Sequence, residues 1–202
     1  MIRIQRPTDA EIARLLAAPA LALSYPEVGA TASPISIAGL PSTYVVDRRR
    51  FALGTGRALF RAAREALLAW RHFEIPWLEL NGGALSVHAG QVVATSTRVF
   101  GVWFVNPCRV VYCEDGDAES DQTAFAYGTL AGHVEAGEER FSVHHDRASD
   151  AVQFEIVAFS RPAVMLTRLG YPFARRIQRR FAGAAAEALA RACGRGGNVI
   201  EI

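Results

Sequence analysis

The stretch Tyr127-Gly-Thr-Leu-Ala-Gly-His-Val-Glu-Ala-Gly-Glu-Glu-Arg-Phe141 sets a tyrosine, a threonine, a histidine and three carboxylates among three glycines. Polar groups at this density are costly to bury unless paired, and a plain turn does not need them. The chemistry they offer is acid–base work, with His133 and Glu135 or Glu138 as the proton-carrying groups. Side chains two apart on a strand share a face, so Tyr127 and Thr129 are expected to point together. The turn after Leu130 can swing His133 over the same opening. Glu138 and Glu139 are adjacent and must face opposite ways, so only one of them can join such a site. A plainer reading stays open: a polar hairpin whose glutamates pair with Arg140, Arg147 or solvent.

Other chemistries are less well supported. His133-Val-Glu135 has the His-x-Glu form of zinc deaminases, which also need Pro-Cys-x-x-Cys downstream. Here Pro107-Cys108 lies upstream and the next cysteine is Cys113. His133, Glu135, Glu138 and His144 or His145 have donors that suit zinc or a harder ion, but no recognised ligand spacing. No metal or other cofactor is therefore assigned. Gly54-Thr-Gly56 lacks the third glycine of a dinucleotide loop, because position 59 is Leu59, and the chain has no lysine for a phosphate loop. Ser160 has no Gly-x-Ser-x-Gly elbow and is placed instead as the cap of the last helix. Cys108 and Cys113, five apart on an expected strand, should face opposite ways and fill core space.

The elements that must position these residues are legible in pattern. Thr8 and Glu11 form a capping box for a helix ending near Ala18. Residues 19–41 hold four prolines and two glycines and read as a long loop. Thr43–Val46 reads as a short strand, followed by a helix from about Leu53 to Phe73 carrying an apolar stripe through Leu59, Ala63, Ala66, Leu67 and Trp70. Strands are expected at Leu85–Ala89, Gln91–Phe100, Val102–Val105, Cys108–Glu114, Thr123–Leu130, Glu138–His145 and Ala151–Phe159. Their short connections, Asn106-Pro107 among them, imply an antiparallel meander. A long helix, Pro162–Cys193, closes the chain. Leu166, Phe173, Ile177, Phe181, Ala184 and Ala188 form its apolar face, while Arg168, Arg175 and Arg179 lie opposite with Arg176 and Arg180 beside them. The fold class is α+β: a curved antiparallel sheet of about six to seven strands wrapped around the C-terminal helix. Residues 1–202 read as a single domain, with 1–42 an N-terminal helix and loop.

Composition narrows the functional classes. With 202 residues and 50% hydrophobic content, the chain can bury a core without disulfides or metals. A net charge of +2 is far from the basic excess of nucleic-acid-binding proteins. No apolar run is long enough for a membrane span. Three cysteines, an odd count, suit reduced thiols in a cytoplasmic protein.

Several blocks resemble an uncharacterised family of bacteria and plants, the domain of unknown function nineteen-ninety. They are Leu53-Gly-Thr-Gly56, the helix reaching Trp70, Asn106-Pro-Cys-Arg-Val-Val-Tyr112, the Tyr127–Phe141 stretch and Phe159-Ser-Arg-Pro162. The resemblance covers roughly residues 43–185 and implies no activity. The element order resembles the helix-grip architecture of birch-allergen-like and START proteins, which implies an open space between sheet and long helix. The expected partner is a small apolar or amphipathic molecule. It would be bound by Tyr127, Thr129, His133, Glu135, Phe173, Ile177, Phe181 and Ala184, with room left where the helix face changes to alanine. Two alternatives stand beside it: an enzyme using His133 and a nearby glutamate, and an interaction module using the arginine face of the last helix.

Overall fold

The computed structural model describes residues 2–17, 21–83, 86–115, 121–163, 171–196 and 199–202. In chain order these form β1 (Ile2–Arg3), α1 (Asp9–Leu16), a 3-10 turn (Ala30–Ala32), α2 (Pro34–Ala38), β2 (Val45–Thr55), α3 (Arg57–Leu68), a second 3-10 turn (Arg71–Phe73), β3 (Leu78–Asn81), β4 (Val92–Val99), β5 (Val102–Asp115), β6 (Gln122–Thr129), β7 (Glu135–Asp146), β8 (Ala151–Pro162), α4 (Tyr171–Ala192) and β9 (Ile200–Glu201). The strands make one sheet in the order β3-β4-β5-β6-β7-β8-β2-β9, with β1 pairing β5 beyond the end of β6. Every pairing is antiparallel. The α+β class and the antiparallel meander are as expected, and nine strands among the described residues exceed the expected six to seven.

Alternation divides the sheet into two faces. The inner face carries Phe51, Val93, Cys108, Val110, Phe125, Tyr127, Phe141, Val143, Phe154 and Ile156, packed with α3 and α4 into the main core. Phe60, Ala63 and Leu67 supply the buried stripe of α3; Ala182, Ala185, Ala186 and Leu189 supply that of α4. Trp70 takes a left-handed conformation (φ 61°) that ends α3 and turns His72 and Phe73 into this core. His72 is fully buried among Phe125, Phe141 and Phe154, and neither ring nitrogen has a hydrogen-bond partner. Desolvation pushes its pKa down to about 3, so it packs as a neutral ring.

The outer face is covered at one end by the segment Leu23–Tyr44, where Tyr25, Ala30 and Tyr44 pack on Phe159 and Ala136. This segment is the expected long loop, and it is ordered by contact with the sheet. The other end of that face carries the polar pairs Arg50–Glu155 and Arg140–Glu114.

Several boundaries differ from the sequence reading. β2 continues from Val45 to Thr55 in place of a four-residue strand, because the alternation that buries Phe51 and Leu53 runs on through the arginines. A bulge at Ala52/Gly54 then turns the chain into α3. Leu85 lies outside the described residues, and Ser86–Ala89 are not in a strand. Asn106-Pro107 is not a turn: β5 is one strand of 14 residues. Pro107 is tolerated because it sits where the β5–β6 ladder ends, its carbonyl accepting from the Leu130 N–H. A bulge between Val110 and Tyr112 brings Cys108 and Cys113 to the same inner face, overturning the opposite-face expectation. β8 runs through Ser160 to Pro162, paired to Glu135, so Ser160 is not a helix cap. The last helix is described from Tyr171; Leu166 and Arg168 lie outside the described residues.

Candidate functional site

The inner face changes character toward one end of the sheet. Continuing the apolar rows along each strand, the inward positions become Thr95 and Thr97 on β4, Asn106 on β5, Thr129 on β6, Glu139, Gly137 and Glu135 on β7, Ala158 and Ser160 on β8, and Arg49 and Asp47 on β2. Most are short or polar, so α4 cannot close against them as it does against the phenylalanines. A cavity of about 190 Å³ remains between this end of the sheet and the first turns of α4. Its apolar wall is Phe73, Trp77, Leu78, Ile156, Ile177, Phe181 and Ala182.

Gly137 is required by this geometry. A Cβ there would stand 1.9 Å from the Phe159 carbonyl oxygen. The missing side chain also keeps open the space between Glu135 and Glu139 on the same strand face. The Thr129 hydroxyl braces the point, donating to the Gly137 carbonyl (3.1 Å) and accepting from the Gly137 N–H (3.0 Å).

The polar groups on the wall are individually placed. The Tyr127 hydroxyl donates to Glu139 Oε2 at 2.6 Å. Glu139 Oε1 has no protein partner among the described residues. Desolvation raises the Glu139 carboxyl to about 7, with the Glu135 and Asp47 charges adding to the rise and the tyrosine opposing it. Burial likewise raises Glu135, against hydrogen bonds from Gln178 Nε2 (2.7 Å) and from Ser160. Asp47 is held by Arg175 in a two-pronged ion pair. His133 Nδ1 accepts the Glu135 backbone N–H at 2.9 Å, which fixes the proton of the neutral ring on Nε2. Desolvation pushes this histidine down to about 3, so it is neutral. Asn106 Oδ1, on the opposite wall, is buried with no hydrogen-bond partner.

Of the residues expected from sequence, Tyr127, Thr129, His133, Glu135, Ile177 and Phe181 all line this cavity. Phe173 lies on the first turn of α4, and its side chain is outside the described residues. Ala184 is not on the wall; it packs against the main core near Ala188, which is 1% exposed. The room therefore lies beside Gly137, Ala158 and Thr95, and not beside Ala184 and Ala188.

Glu138 is corrected as a proton-carrying candidate. Its carboxylate turns to the outer face, where it accepts from the Tyr25 hydroxyl (2.7 Å), the Gly29 N–H (2.7 Å), the Thr31 N–H (3.0 Å) and the Thr31 hydroxyl. Its role is to fasten the Leu23–Tyr44 segment. The inward partner is Glu139, as alternation requires.

The arginine face is also divided. Arg175 reaches inward to Asp47, Arg180 lies over the Trp77 ring at 4.7 Å and Arg179 borders the cavity, while Arg176, Arg179 and Arg180 all remain exposed. Sequence reasoning missed Asp47, Arg49, Trp77, Asn106, Arg175 and Gln178 as wall residues. Period-two alternation would have found Asp47 and Arg49 once β2 was extended. Nothing local marks the others.

No group of three or more metal-ligating side chains is found among the described residues. No described helix is long and apolar enough to cross a membrane.

Comparison with known structures finds similar chains. Norcoclaurine synthase from Thalictrum flavum aligns over 76% of this chain and 96% of its own, at 9% identity and a TM-score of 0.48. Ara h 8.0201 aligns over 74% and 97%, at 10% identity and a TM-score of 0.46. At this similarity the likeness is one of architecture alone. Sequence relatives are nearer. A UPF0548 protein of Dictyostelium discoideum is 35% identical over 166 residues, covering 78% of this chain and 77% of the relative. One from Deinococcus radiodurans is 34% identical over 206 residues, covering 96% and 100%. Residues 24–188 match the family described as domain of unknown function DUF1990, and the chain belongs to that family.

Proposed function

We propose that this protein binds a small amphipathic molecule in the cavity between the sheet and α4. The observation that carries the reading is the cavity's two-sided wall. Phe73, Trp77, Leu78, Ile177 and Phe181 form one side, and Tyr127, His133, Glu135, Glu139 and Asn106 the other. A few convergent polar groups in an otherwise apolar concavity orient a ligand while burial supplies affinity. The volume sets the size: about 190 Å³ is somewhat more than the ~150 Å³ at which an apolar cavity takes up benzene. The ligand class is therefore a single ring or a short chain bearing one or two polar atoms. The reading places the protein in the cytosol as a single domain, in keeping with its odd count of three cysteines.

Trp77 provides the test. It lines the cavity, so its fluorescence should change saturably when the protein is titrated with a panel of substituted phenols and aryl ketones. Native mass spectrometry of the purified chain should show any ligand carried through purification. No saturable response across the panel and no retained ligand would remove the reading. A second reading, an enzyme with a glutamate as acid or base, is favoured by Glu139. It is the wall carboxyl whose environment sets it to titrate near neutrality. The arginine-face alternative is disfavoured because Arg175 is committed to Asp47 and Arg180 covers Trp77.

A further inference from the structure

We propose that the Tyr127–Glu139 pair makes this cavity a proton-transfer site. Glu139 would take a proton from carbon next to the carbonyl of a bound single-ring compound, while the His133 Nε2–H holds the carbonyl oxygen. The proposal rests on the cavity reading above and adds a reaction to it. Three geometric facts carry it. Glu139 lines the cavity with one oxygen fixed by the Tyr127 hydroxyl at 2.6 Å and the other without a protein partner among the described residues. A carboxylate so held is oriented without being consumed. His133 lines the same cavity, with Nδ1 occupied by the Glu135 N–H at 2.9 Å, so its remaining nitrogen is a donor. Phe73, Trp77 and Phe181 set an apolar wall beside these groups, against which a ring can pack.

The step balances without a cofactor. The C–H bond breaks and its proton passes to Glu139 Oε1. The C–H pair becomes the C=C bond of an enolate, and the carbonyl π pair moves to the oxygen facing His133. Return of the same proton to a different carbon, or to the other face, gives an isomer and restores Glu139. No electron is lost or gained overall.

The pH behaviour follows from the groups around the carboxyl. Glu139 faces Tyr127 on β6, Cys108 on β5, Glu135 on its own strand and Asp47 on β2; Arg175 of α4 is paired to that aspartate. Arg49, Arg179 and His133 complete the charged or titratable wall. Burial holds Tyr127 and Cys108 protonated well above neutrality, and His133 is neutral. Glu139 is the group that changes charge near pH 7, so the base form grows as pH rises through that value.

The probe is 5-nitrobenzisoxazole, a compact aromatic whose isoxazole C3–H is removed by a base as its N–O bond breaks. The product is a coloured cyanophenolate, and no co-reactant is needed. The full chain should bind it, read by Trp77 fluorescence, and open it faster than buffer at the same pH. The rate should rise with a midpoint near pH 7. Glu139→Gln should cut the rate by about 100-fold or more with binding retained, in line with a lost general base. Glu79→Gln, on the exposed Arg6 pair, should leave it unchanged. Binding without turnover, or turnover that survives Glu139→Gln, overturns the proton-transfer proposal and leaves the binding reading standing. Absence of binding overturns the proton-transfer proposal, and the ligand panel then decides the binding reading.

Discussion

Glu139→Gln should stabilise the protein above neutrality and do little at pH 4.5. In the folded state the carboxyl is raised from the ordinary 4.5 to about 7, because burial disfavours its charged form. A folded state that holds its proton more tightly than the unfolded chain loses stability as pH rises between those two values. Below 4.5 both states carry the proton and there is no cost; above 7 the full cost is present. At about 1.4 kcal/mol per pH unit, the gap corresponds to about 3 kcal/mol. Glutamine does not ionise, and its amide oxygen can still accept from Tyr127, so the variant escapes the cost. Urea unfolding of both proteins at pH 4.5, 6, 7 and 8 should show their stability difference growing by about 2–3 kcal/mol across the series. Near pH 8 that is about 4–12 °C in Tm for a chain of this size. Glu135 titrates in the same direction but is present in both proteins, so its effect largely cancels. A difference that stays flat with pH would refute the reasoning and place the Glu139 carboxyl in water-like surroundings.

Further outcomes follow from the same geometry. Glu138→Ala should cost about 3–5 kcal/mol in urea unfolding and expose the Leu23–Leu40 segment to limited proteolysis, because the Tyr25, Gly29 and Thr31 donors lose their acceptor. Gly137→Ala should destabilise by several kcal/mol and disturb the cavity, since its Cβ meets the Phe159 carbonyl; a loss below about 1 kcal/mol would contradict the close approach. Ala188→Phe should destabilise the fold through overpacking, by about 1–3 kcal/mol in urea unfolding, while leaving ligand response at Trp77 intact, because position 188 is in the packed core and not on the cavity wall. His133→Ala should keep the fold to within about 1 kcal/mol, the worth of the one hydrogen bond from the Glu135 N–H, and should weaken ligand binding.

The block Tyr127–Phe141 stood out in the sequence because it combines polar types that a turn does not need with a period of two along its strands, and several of its residues line the cavity. That period alone decided that Tyr127 and Thr129 point together and that Glu138 and Glu139 part. The capping box of α1, the buried stripe of α3 and the antiparallel meander were legible for the same reason: each is a local pattern within one element. Periodicity cannot say which glutamate of an adjacent pair faces inward, because both strand phases obey it. Packing decided that, by laying Tyr25, Gly29 and Thr31 over Glu138 and leaving Glu139 to the cavity. Bulges also escape a simple period: the one near Val111 reversed the phase of β5 and brought Cys108 and Cys113 to one face. The position of the cavity was likewise a tertiary fact. Small residues occur on α4 and on the sheet alike, but the helix alanines meet phenylalanines from α3 and the strands and are filled. Gly137, Ala158 and Ser160 instead line the cavity, together with Ile177 and Phe181 of α4. Asn106, Arg175 and Gln178 carry no local mark of a site, since what makes them wall residues is the assembly of strands far apart in sequence under one helix.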